Sequence, residues 1–279
     1  MDWLRAAEHL RARREPGVIV VLLEVRGHAP REAGARMVVS ADGAWGTIGG
    51  GNLEATATRR AREMVAARAQ EPERLELRLN DRAPTEHGVQ CCGGEVTVVL
   101  EPLPVVPSVA VFGLGHVGME LARILARQDL DLHLVDSRAD RLSGSALEPL
   151  ADAVARLHLH PAPVPEVVLG EVPPGTHVLI LTHDHAEDAA LCDMALRCGH
   201  LGSIGLIGSS AKWRRFEQLL AREGHGPEAI ARIATPIGQP GLEGRDPATI
   251  AVGIAAQLLR RLEAEVAPRR VEPGRRHTP

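Results

Sequence analysis

The hydrophobic pattern of the chain changes character near residue 107. Before that point, short apolar runs at strand spacing are interrupted by two stretches at helical spacing, residues 2–14 and 49–69, with Asn52 as the expected N-cap of the second. This half predicts a small α+β domain over residues 1–102. Its predicted strands are Val18–Val25, Met37–Ser40, Trp45–Ile48, Leu75–Leu79 and Val96–Leu100.

After a proline-rich linker at 103–108, apolar runs alternate with amphipathic stretches. The alternation predicts a Rossmann-like, doubly wound parallel sheet over residues 109–215, so the fold class is α/β. A helical segment at 216–267 and a disordered Pro- and Arg-rich tail at 268–279 are expected to follow. The predicted strands are Val109–Phe112, Leu132–Val135, Ala153–Leu157, His177–Leu181 and Ser203–Ile207. The predicted helices are Val117–Arg127, Asp188–Arg197, Lys212–Glu223, Pro227–Ile233 and Pro247–Glu263.

Composition narrows the function classes. The chain has 279 residues, 44% hydrophobic and 24% charged, with a net charge of -4, as in a globular protein without a nucleic-acid partner. The longest apolar run, Val18–Leu23, is far shorter than the ~20 residues of a membrane helix. Four cysteines, two of them adjacent, do not make a disulfide framework. We expect a cytoplasmic protein with reduced thiols and no membrane partner.

A glycine-rich turn follows the first predicted strand of the second half. Its sequence, residues 113–118, is Gly-Leu-Gly-His-Val-Gly, and a helix follows. Gly113 would permit the tight turn, Gly115 and His116 would let backbone N–H groups approach a phosphate, and Gly118 would let helix and strand pack. Asp136 ends the next strand ~20 residues later, where a carboxylate would accept ribose hydroxyls. The pattern predicts a nucleotide site.

Two further loops follow predicted strands and are expected at the same edge of the sheet. One contains His183, Asp184 and His185, and the other contains Gly208 and Ser209. The His-x-His spacing can bind a metal, but hydrogen bonding to the backbone and the cofactor is preferred because no further cysteine or carboxylate pattern completes a zinc site. Cys192 and Cys198, on an apolar helix, are interpreted as core residues.

The first half holds two glycine-rich stretches of its own. Gly49, Gly50 and Gly51 precede Asn52 and either cradle a phosphate or pterin oxygen or form a hairpin exit that needs positive φ. The other stretch places two thiols beside two glycines, which suits a soft ligand or nucleophile close to a bulky ligand, although two buried small residues would also explain it. This stretch comprises Cys91, Cys92, Gly93 and Gly94.

Taken in order, these motifs resemble those of the XdhC family, the xanthine dehydrogenase accessory proteins. The resemblance covers nearly the whole chain, and the ordered set is more specific than any one motif. The matching stretches are residues 49–54, 90–94, 111–118, 182–185, 205–209 and 236–238. Residues 239–247 depart from the Gly-Leu-Asp-Ile-Gly stretch associated with the family.

The resemblance implies a homodimeric cytosolic chaperone of the molybdenum cofactor, not a hydroxylase. Such a protein binds molybdopterin, with or without an attached nucleotide, supports its sulfuration with a cysteine desulfurase, and inserts it into the molybdenum subunit of apo xanthine dehydrogenase. Cys92, with Cys91 as neighbour, would face the metal end, while residues 49–51 and 113–118 would hold phosphate and nucleotide. An NAD(P)-dependent oxidoreductase and a catalytically inert nucleotide sensor are the alternatives.

Overall fold

The computed structural model describes residues 1–78, 94–242 and 244–266, which form two compact units. The first unit contains Met1–Val105, and the second contains Val106–Glu265. Residues 91–93, and with them both adjacent cysteines, lie outside the described part of the chain. None of the helices in the described part is long and apolar enough to cross a membrane.

The first unit is an antiparallel sheet of five strands in the order β3-β2-β1-β5-β4. Helix α2 buries Leu53, Ala57, Ala61 and Met64 against one face of the sheet. Helix α1 packs Ala6 and Leu10 against Val38 on the opposite face, since the neighbours of Val38 in β2, Met37 and Val39, face α2. The elements are α1 (Trp3–Arg13), β1 (Gly17–Arg26), β2 (Arg36–Val39), β3 (Ala44–Gly46), α2 (Gly51–Ala66), β4 (Glu73–Arg78) and β5 (Glu95–Leu103).

Three boundaries in this unit differ from the predictions. The N-cap of α2 is Gly50, not Asn52, because the chain has entered the helix by Gly51. Strand β3 ends at Gly46, two residues before the predicted end, since Gly46 has a φ of 82°. Strand β5 continues to Leu103, into the predicted linker, because the ladder with β1 continues to the pair Gly17–Leu103.

The second unit is a parallel sheet of six strands in the order β11-β10-β9-β6-β7-β8. The two flanking cores lie on opposite faces, and strand residues alternate between them: Val109 and Val111 face one core, Ala110 and Phe112 the other. The strands are β6 (Ser108–Phe112), β7 (Asp131–Asp136), β8 (Arg156–Pro161), β9 (His177–Ile180), β10 (Ser203–Leu206) and β11 (Ile233–Ala234). The helices are α3 (His116–Leu125), α4 (His185–Arg197), α5 (Ser210–Arg222), α6 (Pro227–Ile230) and α7 (Pro247–Val266).

This architecture confirms the predicted fold class, a Rossmann-like sheet preceded by a small α+β unit. Two of the predicted elements, one strand and one helix, are wrong. The strand predicted at Ala153–Leu157 begins only at Arg156, because the N–H groups of Val154 and Ala155 donate to the carbonyl oxygen of Ala126 and not to a neighbouring strand. The end of the predicted helix Pro227–Ile233 is instead β11, the sixth strand. Residues 216–267, predicted as a separate helical segment, therefore add a strand to the sheet, and α7 buries its apolar face in one of the cores.

Candidate functional site

The order of the parallel strands places a crevice between β6 and β9. Strands β7 and β8 extend the sheet from one side of β6, and β9, β10 and β11 extend it from the other. In open α/β sheets, ligands bind outside the carboxyl ends of the strands where the direction of winding reverses. The glycine turn after β6 and the loop after β9 flank this point, so the structure brings the predicted residues 113–118 and 182–185 to the same edge.

Glycine occupies the three positions of the turn for different structural reasons. Gly113 has a φ of 96°, and a Cβ there would lie 2.6 Å from the carbonyl oxygen of Leu181. A Cβ at Gly118 would collide with the carbonyl oxygen of Gly113. At Gly115, the N-cap of α3, a Cβ would meet no protein atom within 4 Å. Protein packing therefore accounts for the first and third glycines, whereas the second leaves open room beside a helix N-terminus.

Helix α3 begins beside that room, with Gly115 as its N-cap. His116 is the first residue of the helix and is exposed. The opening N–H groups of a helix have no carbonyl partner within the helix and favour an anion. The geometry around Gly115 and His116 therefore fits a phosphate, as the sequence predicted, and their role as ligand contacts stays a prediction.

Asp136 is placed at the end of β7, as expected, but both its carboxylate oxygens contact protein donors. Oδ2 accepts from the N–H of Leu114 at 2.6 Å, and Oδ1 accepts from the N–H of Arg138 at 2.9 Å. The guanidinium of Arg138 adds two bonds, one to each oxygen. These bonds outweigh the effect of burial and hold the pKa of Asp136 below its usual value. A ribose hydroxyl would have to displace one of these donors.

The loop after β9 is organised by its polar side chains. Asp184 caps α4 by accepting from the N–H of Ala186 at 2.6 Å, and this bond lowers the pKa of the Asp184 carboxyl. His183 and His185 are exposed at the crevice, with no third residue beside them among the described residues in an arrangement that could hold a metal ion. Thr182 donates from both its N–H and its hydroxyl to Asp188.

Asp188 and Lys212 are functional candidates that the sequence analysis missed. Asp188 is fully buried, and its second oxygen pairs with the ammonium of Lys212, which is 13% exposed. Ser209 caps α5 by accepting from the N–H of Lys212, and Gly208 leaves room for the stem of the lysine, whose Cδ would lie 3.0 Å from an added Cβ. The pair therefore ties the loop after β9 to the loop after β10. Lys212 is the only lysine in the chain, which is the signal that could have identified it.

A second polar contact spans the end of β6. The hydroxyl of Ser137, after β7, donates to Glu187 in the first turn of α4 at 2.9 Å. Because β7 and β9 flank β6 in the sheet, this bond connects the two sides of the crevice. Burial, and to a lesser degree the nearby Asp136 carboxylate, raises the pKa of Glu187.

In the first unit, the glycine loop is folded around a carboxylate of its own. Gly49, Gly50 and Gly51 all have positive φ, at 129°, 73° and 61°, so backbone conformation alone requires glycine there. The side chain of Glu54 returns to the loop, where its Oε2 accepts from the Thr47 hydroxyl at 2.6 Å. The same oxygen accepts from the N–H groups of residues 48 and 50 at 3.3 and 3.1 Å. The N–H of Gly49 donates to the Thr47 hydroxyl oxygen at 3.1 Å, so two amides of the predicted phosphate cradle, those of Gly49 and Gly50, are used within the protein.

The Glu54 contacts lead to a stability prediction. Glu54→Ala removes three hydrogen bonds onto one oxygen and should lower the free energy of unfolding by about 1–3 kcal/mol, since the half-buried amides lose their acceptor. Urea unfolding measures the change. Glu63→Ala, on the same helix in a surface pair with Arg60, should cost about 1 kcal/mol or less. Equal effects of the two substitutions would show that Glu54 does not brace the loop.

The described end of the cysteine motif lies close to this glycine loop. A Cβ at Gly94 would collide with the carbonyl oxygen of His28, and a Cβ at Gly49 would lie 2.5 Å from Cγ of Pro30. The segment between β1 and β2 thus contacts both motifs. Sequence reasoning missed His28–Pro30 because no pattern links these residues to two distant glycines. Cys91, Cys92 and Gly93 lie outside the described residues, so their placement stays a prediction.

The two other cysteines are poor candidates for thiol chemistry. Cys192 is fully buried in the core below α4, as predicted, and burial raises the pKa of its thiol to about 12. Cys198, at the C-cap of α4, is half-buried at the margin of the same core, and burial raises its pKa as well. Both thiols therefore stay protonated at neutral pH.

Comparison with known families agrees with this architecture. The XdhC Rossmann domain matches residues 109–258, more than half of the chain, and the XdhC and CoxI family matches residues 10–77. The chain belongs to the XdhC family. The order of the glycine and cysteine motifs had predicted this family, and the prediction is confirmed.

Relatives of this XdhC-family chain are found in Escherichia coli (strain K12). The chain is 26% identical over 264 residues to the uncharacterized protein YqeB, a match that covers 93% of the chain and 46% of YqeB. It is 39% identical over 87 residues to the molybdenum cofactor insertion chaperone PaoD, covering 31% of the chain and 26% of PaoD. The chain thus spans less than half the length of either relative. The chain also aligns with a crystal structure from Bacillus halodurans that is described as a xanthine dehydrogenase. The alignment covers 98% of each of the two chains, with a TM-score of 0.48 and 19% sequence identity.

Proposed function

We propose that this protein binds the molybdenum cofactor as cargo, supports its sulfuration with a cysteine desulfurase, and delivers it to the molybdenum subunit of an apo xanthine dehydrogenase. Membership of the XdhC family supports this proposal, and so does the similarity to a relative named as a molybdenum cofactor insertion chaperone. We further propose that the protein acts as a homodimer.

The observation that carries the proposal is the open room at Gly115. Packing requires the other two glycines of the turn, but a Cβ added at Gly115 would meet no protein atom within 4 Å. It lies where the first amides of α3 favour an anion. A phosphate of molybdopterin, or of a nucleotide attached to it, has the charge and size for this position.

The thiol chemistry is assigned to Cys92, with Cys91 as its neighbour. A thiolate is a soft ligand suited to a molybdenum centre and to protecting a sulfido group on it. The proposal is supported by contrast, since burial raises the pKa of both Cys192 and Cys198 and disfavours their thiolates. The position of Gly94 supports it further. Gly94 contacts His28, and Pro30 in the same segment contacts the glycine loop at Gly49.

The test is the Cys92→Ala variant, purified from cells that make molybdopterin. We expect most of the co-purified molybdopterin and most of the activation of apo-enzyme to be lost, because the metal end loses its thiolate ligand. Molybdopterin is measured after release from the protein, and mass spectrometry of the released ligand shows whether it carries a nucleotide.

Cys198→Ala is the matched control, since it removes a half-buried thiol from the other unit. It should retain both properties. If Cys92→Ala also retains both, the proposed role of the thiol is wrong. Tight NAD(H) binding with turnover would favour an NAD(P)-dependent oxidoreductase, and NAD(H) binding alone would favour a nucleotide sensor.

A further inference from the structure

We infer that the carboxyl end of β7 recognises a second anionic group of the ligand, a phosphate, through Arg138, and that Asp136 does not bind a ribose diol there. The inference rests on the proposed function in one respect, that a phosphorylated cofactor enters this crevice. Beyond the proposed function, it names the kind of group that the ligand presents next to the glycine turn.

The acceptor capacity of Asp136 is filled by protein donors. A carboxylate offers about four lone-pair positions. Oδ1 accepts from the backbone N–H of Arg138 at 2.9 Å and from its Nε at 2.8 Å. Oδ2 accepts from the N–H of Leu114 at 2.6 Å and from Nη2 of Arg138 at 2.9 Å. The side chain is only 2% exposed, so a sugar hydroxyl finds neither a lone pair nor access.

Arg138 replaces Asp136 as the group that a ligand meets. Its guanidinium makes a bidentate contact with both oxygens of Asp136, yet the Arg138 side chain stays 30% exposed. Its Nη1 makes no hydrogen bond within the described part of the chain. A group that offers donors and positive charge selects an acceptor that carries negative charge, and a phosphate fits that description better than a neutral diol.

The position of Arg138 relative to the turn sets the spacing of the two anions. Asp136 alone separates the guanidinium from the N–H of Leu114, since its Oδ2 contacts both. A phosphate at Gly115 and a second one at Arg138 would therefore lie close together, on either side of the Asp136 carboxylate.

Two other carboxylates face Arg138 and limit the strength of this contact. Asp140, on the same segment, and Glu187, held by Ser137 across the crevice, both interact electrostatically with the guanidinium. Glu187 would repel a bound phosphate. Glu187→Gln should therefore strengthen binding of a ligand with the second phosphate, while keeping an oxygen for the Ser137 hydroxyl.

The experiment is calorimetric titration of the full chain with two probes that differ by one phosphate, 2′,5′-ADP and 5′-AMP. We expect wild type to bind 2′,5′-ADP roughly 10- to 100-fold more tightly, the range of a charge-assisted hydrogen bond. Arg138→Met should remove that preference and retain 5′-AMP binding. Arg141→Met, an exposed arginine three residues along the same segment, should keep the preference.

Three outcomes overturn the inference. Wild type could bind the two probes equally, Arg138→Met could keep the preference, or neither probe could bind. Equal binding leaves the phosphate site at Gly115, and with it the proposed function, intact. If neither probe binds, the proposed function is decided separately by molybdopterin co-purification. If Arg138→Met fails to fold, Glu187→Gln decides: it should increase the preference for 2′,5′-ADP, and an unchanged preference would overturn the inference.

Discussion

Replacing Lys212 with methionine should lower the free energy of unfolding by about 3–5 kcal/mol. The carboxylate of Asp188 is fully buried, and Lys212 is its only ionic partner among the described residues. Removing one member of a buried pair leaves an uncompensated charge, which costs far more than an exposed pair contributes. The substitution keeps most of the apolar stem, but it also removes the ammonium that lies 5.3 Å from the centroid of the Phe216 ring, so the loss of this cation–π contact adds to the effect. Urea unfolding followed by circular dichroism measures the change.

Two further variants separate this charge effect from a loss of packing. Adding Asp188→Asn to Lys212→Met removes the buried charge while keeping an oxygen for Thr182, and should restore part of the lost stability. Arg197→Met, which breaks an exposed pair with Asp193 on the same helix, should cost about 1 kcal/mol or less. If Lys212→Met costs no more than Arg197→Met, the buried pair does not hold the two loops together.

The pair also explains why the loops at the crevice keep their positions. Thr182 is fixed by two bonds to Asp188, and Asp188 is fixed by Lys212, which starts from the loop after β10. Two of the three loops around the crevice thus share one buried network. His183 and His185 are placed by this network although they take no part in it, so their exposure to a ligand depends on residues outside the motif that contains them.

The sequence predicted those elements whose hydrophobic pattern and flanking glycines lie within a short stretch of the chain. Strand β6, the glycine turn and α3 were placed to within a few residues because an apolar run, glycines and an amphipathic helix follow one another directly. Strand β8 was misplaced because it is an edge strand with alternating exposure and a weak apolar pattern. Strand β11 has only two residues, too few for any periodicity.

The candidate site was less predictable because its contacts join distant residues. The Lys212–Asp188 bond links side chains 24 residues apart, and Ser137 meets Glu187 across 50 residues. The composition of the loops after β9 and β10 indicated that they carry function, but not which side chains meet. Likewise, the sequence predicted a ribose contact for Asp136 and a phosphate cradle next to Glu54, but only the fold reveals that protein donors already contact both carboxylates.

Alanine at each glycine of the turn should separate folding from binding. Gly118→Ala should cost about 1–3 kcal/mol of stability or more, because its Cβ would collide with the carbonyl oxygen of Gly113 and the backbone must move. Gly113→Ala should be similarly harmful, since it adds a positive φ to contacts of 2.6 and 2.7 Å with the backbone of Leu181 and Thr182.

Gly115→Ala provides the matched control, because its backbone is extended and its Cβ would face open space. Its stability should stay within about 0.5 kcal/mol of wild type. Its affinity for 5′-AMP should nevertheless fall, since the added methyl group occupies the room that a phosphate would use. Urea unfolding and calorimetric titration of the same preparations provide the two measurements. A Gly115→Ala protein that binds as wild type does would place the phosphate elsewhere, because this glycine has no packing role that could otherwise explain it.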